Sequence, residues 1–177
     1  MKSIRRHRLS KREANELLGS LSGVLRKSVQ EKISRVKGLE VIEPSSTERI
    51  FILGDKPILI KIRDCVLPAL LDEEALGLFP SVIVDMGAIP YICNGADVMA
   101  PGIVGIDGEF TAGNIVVVRD ERHRKAIAIG RSLYDSNTFR EKRHGKMVKN
   151  LHFIGDDVWK IVKRSLIIRD REDITLA

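Results

Sequence analysis

Cysteine is nearly missing from this chain. Cys65 and Cys93 are the only two, and neither has a histidine or a second cysteine at metal-ligand spacing. That pattern excludes a disulfide framework and makes the reducing cytoplasm the expected compartment. Long apolar runs are missing too: none approaches the roughly 20 residues that a membrane helix requires. No acid occurs among the first twelve residues, which carry Lys2, Arg5, Arg6, Arg8, Lys11 and Arg12. No long apolar stretch follows them, so they do not read as a secretory signal.

Catalytic motifs are also lacking. The chain has no Walker-type phosphate loop, no Gly-x-Ser-x-Gly and no His-Glu-x-x-His. Its acid clusters, Asp72-Glu73-Glu74 and Asp156-Asp157, read as helix starts and turns. His7, His123, His144 and His152 are scattered among basic or apolar neighbours. The expectation is a protein that is not an enzyme and has no cofactor and no metal.

What is present is a core and an excess of positive charge. Hydrophobic residues make up 44% of the 177, enough to fold, and charged residues 31%, with a formal net charge of +6. Such a balance favours polyanionic partners, either nucleic acid or an anionic membrane surface, although many basic proteins bind neither.

Periodicity divides the chain. Ser10-Lys11-Arg12-Glu13 has the form of a capping box. Leu17, Leu18, Leu21, Val24, Leu25, Val29 and Ile33 follow at helical spacing. A helix is therefore predicted from Ser10 to Ser34, bent or broken near Gly19 and Gly23. Strands are predicted at Leu39–Ile42, Glu48–Leu53 and Ile58–Arg63, the last two joined by the turn Gly54-Asp55-Lys56-Pro57. A short helix at Leu67–Glu74 closes this unit, and Gly77-Leu78-Phe79-Pro80 marks a boundary. Beyond it come a strand at Val82–Asp85, a short helix at Gly87–Asn94 and an interrupted strand at Val98–Val104. Further strands are predicted at Asn114–Arg119, Lys125–Gly130, Leu151–Ile154 and Val158–Val162. Many short strands with Gly-rich turns predict a small β-barrel.

Four ordered blocks in this second half carry a resemblance. They are Val84-Asp85-Met86-Gly87-Ala88-Ile89, Asn94 to Gly102, Phe110 to Val118, and Ala126-Ile127-Ala128-Ile129-Gly130. Together they resemble PUA domains, RNA-binding modules found on pseudouridine synthases and archaeosine transglycosylases. With Met99-x-Pro101-Gly102 and the stretch Asn150 to Lys160, the whole chain is similar to the malignant T-cell-amplified-sequence family and its archaeal relatives. The resemblance implies an α+β chain of two domains. Residues 1–78 would form a pre-PUA domain with a long helix and antiparallel strands. Residues 79–177 would form a PUA β-barrel with short helices.

The resemblance also implies a function: a non-catalytic RNA-binding factor of translation, acting on the small ribosomal subunit or tRNA in initiation, re-initiation or recycling. It places the RNA face on Gly87, Ala88, Tyr91, Gly95, Ala96, Met99, Pro101 and Gly102. Small residues let a ribose-phosphate strand approach, and an amide at a helix start can accept a phosphate; the other reading is that these residues only form turns. Tyr91 is placed either to stack on a base or to pack half-buried. With aromatics at 5%, recognition should rest on phosphate charge and shape.

Basic segments would add that charge: the N-terminal arm; Arg119, Arg122, His123, Arg124 and Lys125; and Arg131, Arg140, Lys142, Arg143, Lys146 and Lys149. Two other roles fit the same sequence. One is a tRNA-holding accessory to a modifying enzyme. The other is a scaffold for an initiation-factor-like protein partner, docked on the apolar stretch Leu67 to Phe79. No membrane partner is expected.

Overall fold

The computed structural model describes residues 5–21, 23–36, 38–164 and 166. Lys2 of the basic arm and residues 167–177 of the second expected domain lie outside them. Two units result: residues 1–75 with the chain from Lys160 onward, and residues 76–159. The observed break thus lies three residues before the expected 78/79 boundary. Described residues after Trp159 belong with the first unit rather than the second.

Helix α1 (Lys11–Ser20) opens with the predicted capping box. Ser10 Oγ accepts the Glu13 N–H at 3.3 Å, and the Glu13 carboxylate accepts the Ser10 N–H at 2.8 Å. The helix is broken near Gly19 and Gly23, as the sequence allowed: Leu21 turns extended before α2 (Gly23–Arg35) begins. The apolar stripe survives the break. Leu17, Leu21, Leu25 and Val29 recur every fourth residue and are all buried, whereas Val24 is exposed.

Five antiparallel strands form sheet A in sequential order: β1 (Arg5–Arg8), β2 (Leu39–Glu43), β3 (Glu48–Leu53), β4 (Lys56–Ile62) and β5 (Cys65–Pro68). Ile50, Leu59, Ile60 and Leu67 have no exposed surface and make its core. Part of the basic arm is therefore an edge strand, with Arg6 Nε donating to Glu40 Oε2 at 2.8 Å. The helix expected at Leu67–Glu74 is corrected. Residues 65–68 pair with β4 instead, and helix α3 (Glu73–Leu76) follows, with Asp72 Oδ1 accepting the Ala75 N–H at 3.2 Å.

Arg63, in the β4–β5 turn, has φ +53°. Asparagine adopts this left-handed region more readily than arginine. Arg63→Asn is expected to raise stability by about 0.5–1 kcal/mol in a urea titration; a loss would contradict the turn geometry.

In the second unit, β6 (Ser81–Val84) leads through α4 (Ile89–Ile92) to β7 (Val98–Met99). A 3-10 turn at Ala100–Gly102 follows, then β8 (Ile103–Asp107), β9 (Ile115–Asp120), β10 (Ala126–Ser132), α5 (Ser136–Glu141) and β11 (Lys146–Phe153). The six strands of sheet B run β7-β11-β10-β9-β6-β8, with β6 and β9 parallel and the other pairs antiparallel. Its two edge strands, β7 and β8, are joined by that three-residue turn alone, so the sheet must curl until its edges approach. Val82, Val84, Val116, Val118, Ala128, Met147 and Val148 fill the curl, with Phe110 edge-on to Phe139 at 4.9 Å. Half-buried Cys93 packs against this core, and burial pushes its thiol pKa up. Neither cysteine is in a disulfide.

The strand expected at Val158–Val162 is a helix, α6 (157–164). Asp156 is its cap: Oδ1 accepts the Trp159 N–H at 2.7 Å, and Oδ2 accepts the Phe153 N–H at 3.1 Å and faces His152 Nδ1 at 2.6 Å. An aspartate answering three groups at once favours a helix start over a continuing strand.

Candidate nucleic-acid interface

The loop after β6 brings Gly87 and Ala88 together with Gly102. The Asp85 N–H donates to Gly102 O at 2.9 Å, and a Cβ on Gly102 would stand 2.9 Å from that of Ala88. Gly102 is therefore required by close packing. Gly95, at φ +91° and against the Phe153 ring, is likewise required by the fold. Gly87 is exposed and keeps a glycine-tolerant surface. The amides on either side of it are already engaged by carboxylates: Met86 N–H by Glu121 at 3.1 Å, Ala88 N–H by Asp85 at 2.8 Å. Helix α4 is a single turn. The expected phosphate contact at this helix start therefore meets two acids, and the cationic surface lies elsewhere in the unit.

It lies along β11. Asn150 ties the α4–β7 segment to that strand, donating from Nδ2 to Ile92 O and Ala96 O at 3.0 Å each. Its own N–H goes to Asp97 Oδ1 at 2.8 Å. Strand β7 then pairs with β11, Met99 opposite Lys146. Lys146 Nζ reaches Asp97 Oδ2 at 2.5 Å and Lys149 Nζ reaches it at 3.5 Å. Burial raises the Asp97 pKa, but Lys146, the Asn150 amide and Lys149 outweigh it and hold the carboxyl below its ordinary value. Arg131 stands directly across from Lys149 on β10. Two lysines thus share one carboxylate on an edge where Tyr91 is 71% and Met99 48% exposed, while the Arg131 guanidinium donates to Gly113 O at 3.1 Å. Exposed Ala96 lies between those two along the same edge, and exposed Pro101 just beyond it.

The remaining basic residues divide. Buried Asp120 shapes the β9–β10 turn by accepting the His123 and Lys125 amides at 2.6 and 2.9 Å. Burial raises its pKa, and those amides lower it further than burial raises it. On that turn Arg124 pairs with Asp107 at 3.0 Å, while exposed Arg122 and Lys125 have no ion pair among the described residues. At the other end of β10, Arg140 pairs with Glu109 at 2.5 Å and Lys142 donates to the Tyr134 hydroxyl at 2.8 Å. Exposed Arg143 has no ion pair among the described residues. Arg124, Arg140 and Lys142 therefore have structural partners within the fold. Lys146 and Lys149 stand in a basic stretch legible in the sequence, but only strand pairing carries them to Asp97. Their spacing on a strand, either side of buried Met147 and Val148, was the available signal.

The apolar stretch Leu67 to Phe79, expected as a docking surface, is largely core: Leu67, Ala69, Leu70, Ala75 and Leu76 are buried, leaving Leu71 and Leu78 exposed. Among the described residues no helix is long and apolar enough to cross a membrane, and no His, Cys, Asp and Glu group could hold a metal.

The PUA domain model matches residues 80–154. The uncharacterized protein MJ1432 of Methanocaldococcus jannaschii is 37% identical over 162 residues, covering 90% of this chain and 98% of that protein. Translation machinery-associated protein 20 of Schizosaccharomyces pombe is 28% identical over 144 residues, 78% of this chain and 80% of that one. The malignant T-cell-amplified sequence 1 homolog of Drosophila melanogaster is 30% identical over 80 residues, 44% of each chain. The crystal structure of hypothetical protein PH0734.1 from Pyrococcus horikoshii OT3 superposes with a TM-score of 0.74 at 35% identity, covering 89% of this chain and 99% of that one.

Proposed function

We propose, for a chain that belongs to the PUA-domain proteins of the malignant T-cell-amplified-sequence family, a non-catalytic role as an RNA-binding factor of translation. Its RNA strand lies along the edge formed by α4, β7 and β11. One observation carries this reading: Lys146 and Lys149 gather at the single carboxylate of Asp97, beside exposed Tyr91 and Met99. Cations in that arrangement neutralise phosphates, and an exposed ring offers a face to a base. The Asn150 hydrogen bonds hold the edge rigid, so little ordering is required on binding. The name of the yeast relative, translation machinery-associated protein 20, supports the place in translation; rRNA of the small ribosomal subunit or tRNA is the ligand we propose.

Anisotropy titration of a labelled single-stranded RNA tests the edge. Lys146→Gln with Lys149→Gln should lower the log–log salt slope by about 1.4, near 0.7 per lost phosphate contact. Tyr91→Ala should cost about 1–3 kcal/mol of binding if a base stacks there. Unchanged affinity in both variants would defeat the assignment. Sedimentation of a cell extract then separates the roles: migration with small ribosomal subunits supports the translation factor, and co-purification with a modifying enzyme supports the accessory reading.

A further inference from the structure

Sheet A carries a second basic surface, on residues that the edge of sheet B does not use. Arg49 and Lys61 are direct cross-strand partners on β3 and β4, and Arg63 follows in the next turn. All three line one cleft of about 460 Å³ with Ser46, Thr47 and Asp64. Like charges set directly opposite in an antiparallel pair are destabilising. Glu43 takes Arg49 Nε at 3.1 Å, but among the described residues neither Lys61 nor Arg63 has an ion-pair partner. Arg63 also sits in a backbone region that the turn alone would give to glycine or asparagine. Two separate features therefore work against the fold, and both put positive charge into the same concavity.

The lining determines the kind of ligand. Every residue in it is polar, so the cleft offers nothing to the apolar side chains of a peptide. Guanidinium forks, an ammonium and exposed hydroxyls on Ser46 and Thr47 are the donors that a sugar–phosphate strand takes without regard to sequence. We propose that this cleft binds the phosphodiester backbone of RNA as a second, sequence-independent contact. It does not depend on the sheet B edge being the first.

The test uses the full chain and a short fluorescein-labelled oligouridylate, titrated across a series of potassium chloride concentrations. The triple variant Arg49→Gln, Lys61→Gln, Arg63→Asn should bind about tenfold more weakly or worse at low salt, and lose about 2 from the salt slope. Its melting temperature should hold or rise, because the like-charge opposition and the left-handed arginine are both removed. Should the triple variant misfold, Arg63→Asn alone must still lower the slope by about 0.7. Wild-type affinity and slope in the folded variant would overturn the inference. So would displacement of the RNA by polyglutamate as readily as by unlabelled oligouridylate, which would make the cleft a surface for acidic proteins. Running the Lys146→Gln, Lys149→Gln pair in parallel separates the two surfaces. Loss in that pair alone sinks this cleft and leaves the sheet B edge standing; loss in the triple variant alone does the reverse.

Discussion

Gly130→Ala should lower the melting temperature by on the order of 10–20 °C, from a loss of about 3 kcal/mol or more. Gly130 lies in β10 at the register shift between Ile129 and Gly130, where the strand pairs with β11. A Cβ there would overlap Val148 Cγ1 and stand 2.6 Å from the Lys149 carbonyl oxygen. The carbonyl is backbone within a ladder and cannot turn aside as a side chain could. Relief requires opening the pairing of Gly130 with Asn150 and of Arg131 with Lys149, the residues that build the cationic edge. Total stabilities are about 5–15 kcal/mol, so the loss would be a large fraction. Gly19→Ala is the control: it lies in α1 with nothing within 4 Å of an added Cβ. The same chemical change there should stabilise by about 0.5–1 kcal/mol. Calorimetry on both variants decides; equal and small effects would show that the β10–β11 register is wrong.

Asp156→Ala should cost about 3 kcal/mol, by the loss of three hydrogen bonds of which one is to a side chain with 1% exposure, His152. The helix loses its cap and His152 Nδ1 loses its acceptor inside the protein, where water cannot replace it. Burial pushes the Asp156 carboxyl pKa up, but the His152 bond, the His152 charge and the two amides together hold it below 3.8. A carboxylate whose folded pKa is depressed contributes stability above the unfolded value, and that contribution fades as pH falls through the folded value. The gap between wild type and Asp156→Ala should therefore be full at neutral pH and narrow below 3.8. Urea titrations over a pH series measure it. A gap that is constant through the acid range would assign the effect to packing instead of to the ionised carboxylate.

Local signals were readable wherever one residue's chemistry decided the outcome. Ser10 and Glu13 cap α1 as their spacing required, and Leu17, Leu21, Leu25 and Val29 are buried at their helical period. The blocks from Val84 to Gly130 follow the strand order of the family they resemble. Misreadings came where a partner strand decides. Arg5–Arg8 has no apolar alternation and becomes a strand only because β2 offers an edge. Leu67 reads as helical but pairs with Ile60. Val158 and Val162 are four apart behind an aspartate, a helix signal that their β-branched chemistry obscured. For the site, the small residues and the basic stretch were visible, and the carboxylate that gathers two of its lysines was not. Asp97 and Lys149 are 52 positions apart, and only the β7–β11 pairing brings them within reach of one another.

The strand order of sheet B has a bearing on how the protein is made. Strand β11 sits between β7 and β10, so the last strand of the sheet to leave the ribosome is inserted beside one made some fifty residues earlier. Until Phe153 has emerged, β10 has an exposed flank and β7 has nothing to pair with. The cationic edge does not exist before that moment, because two of its lysines arrive with the inserted strand. On the function proposed above, a nascent chain gains this contact with RNA only when the domain is complete.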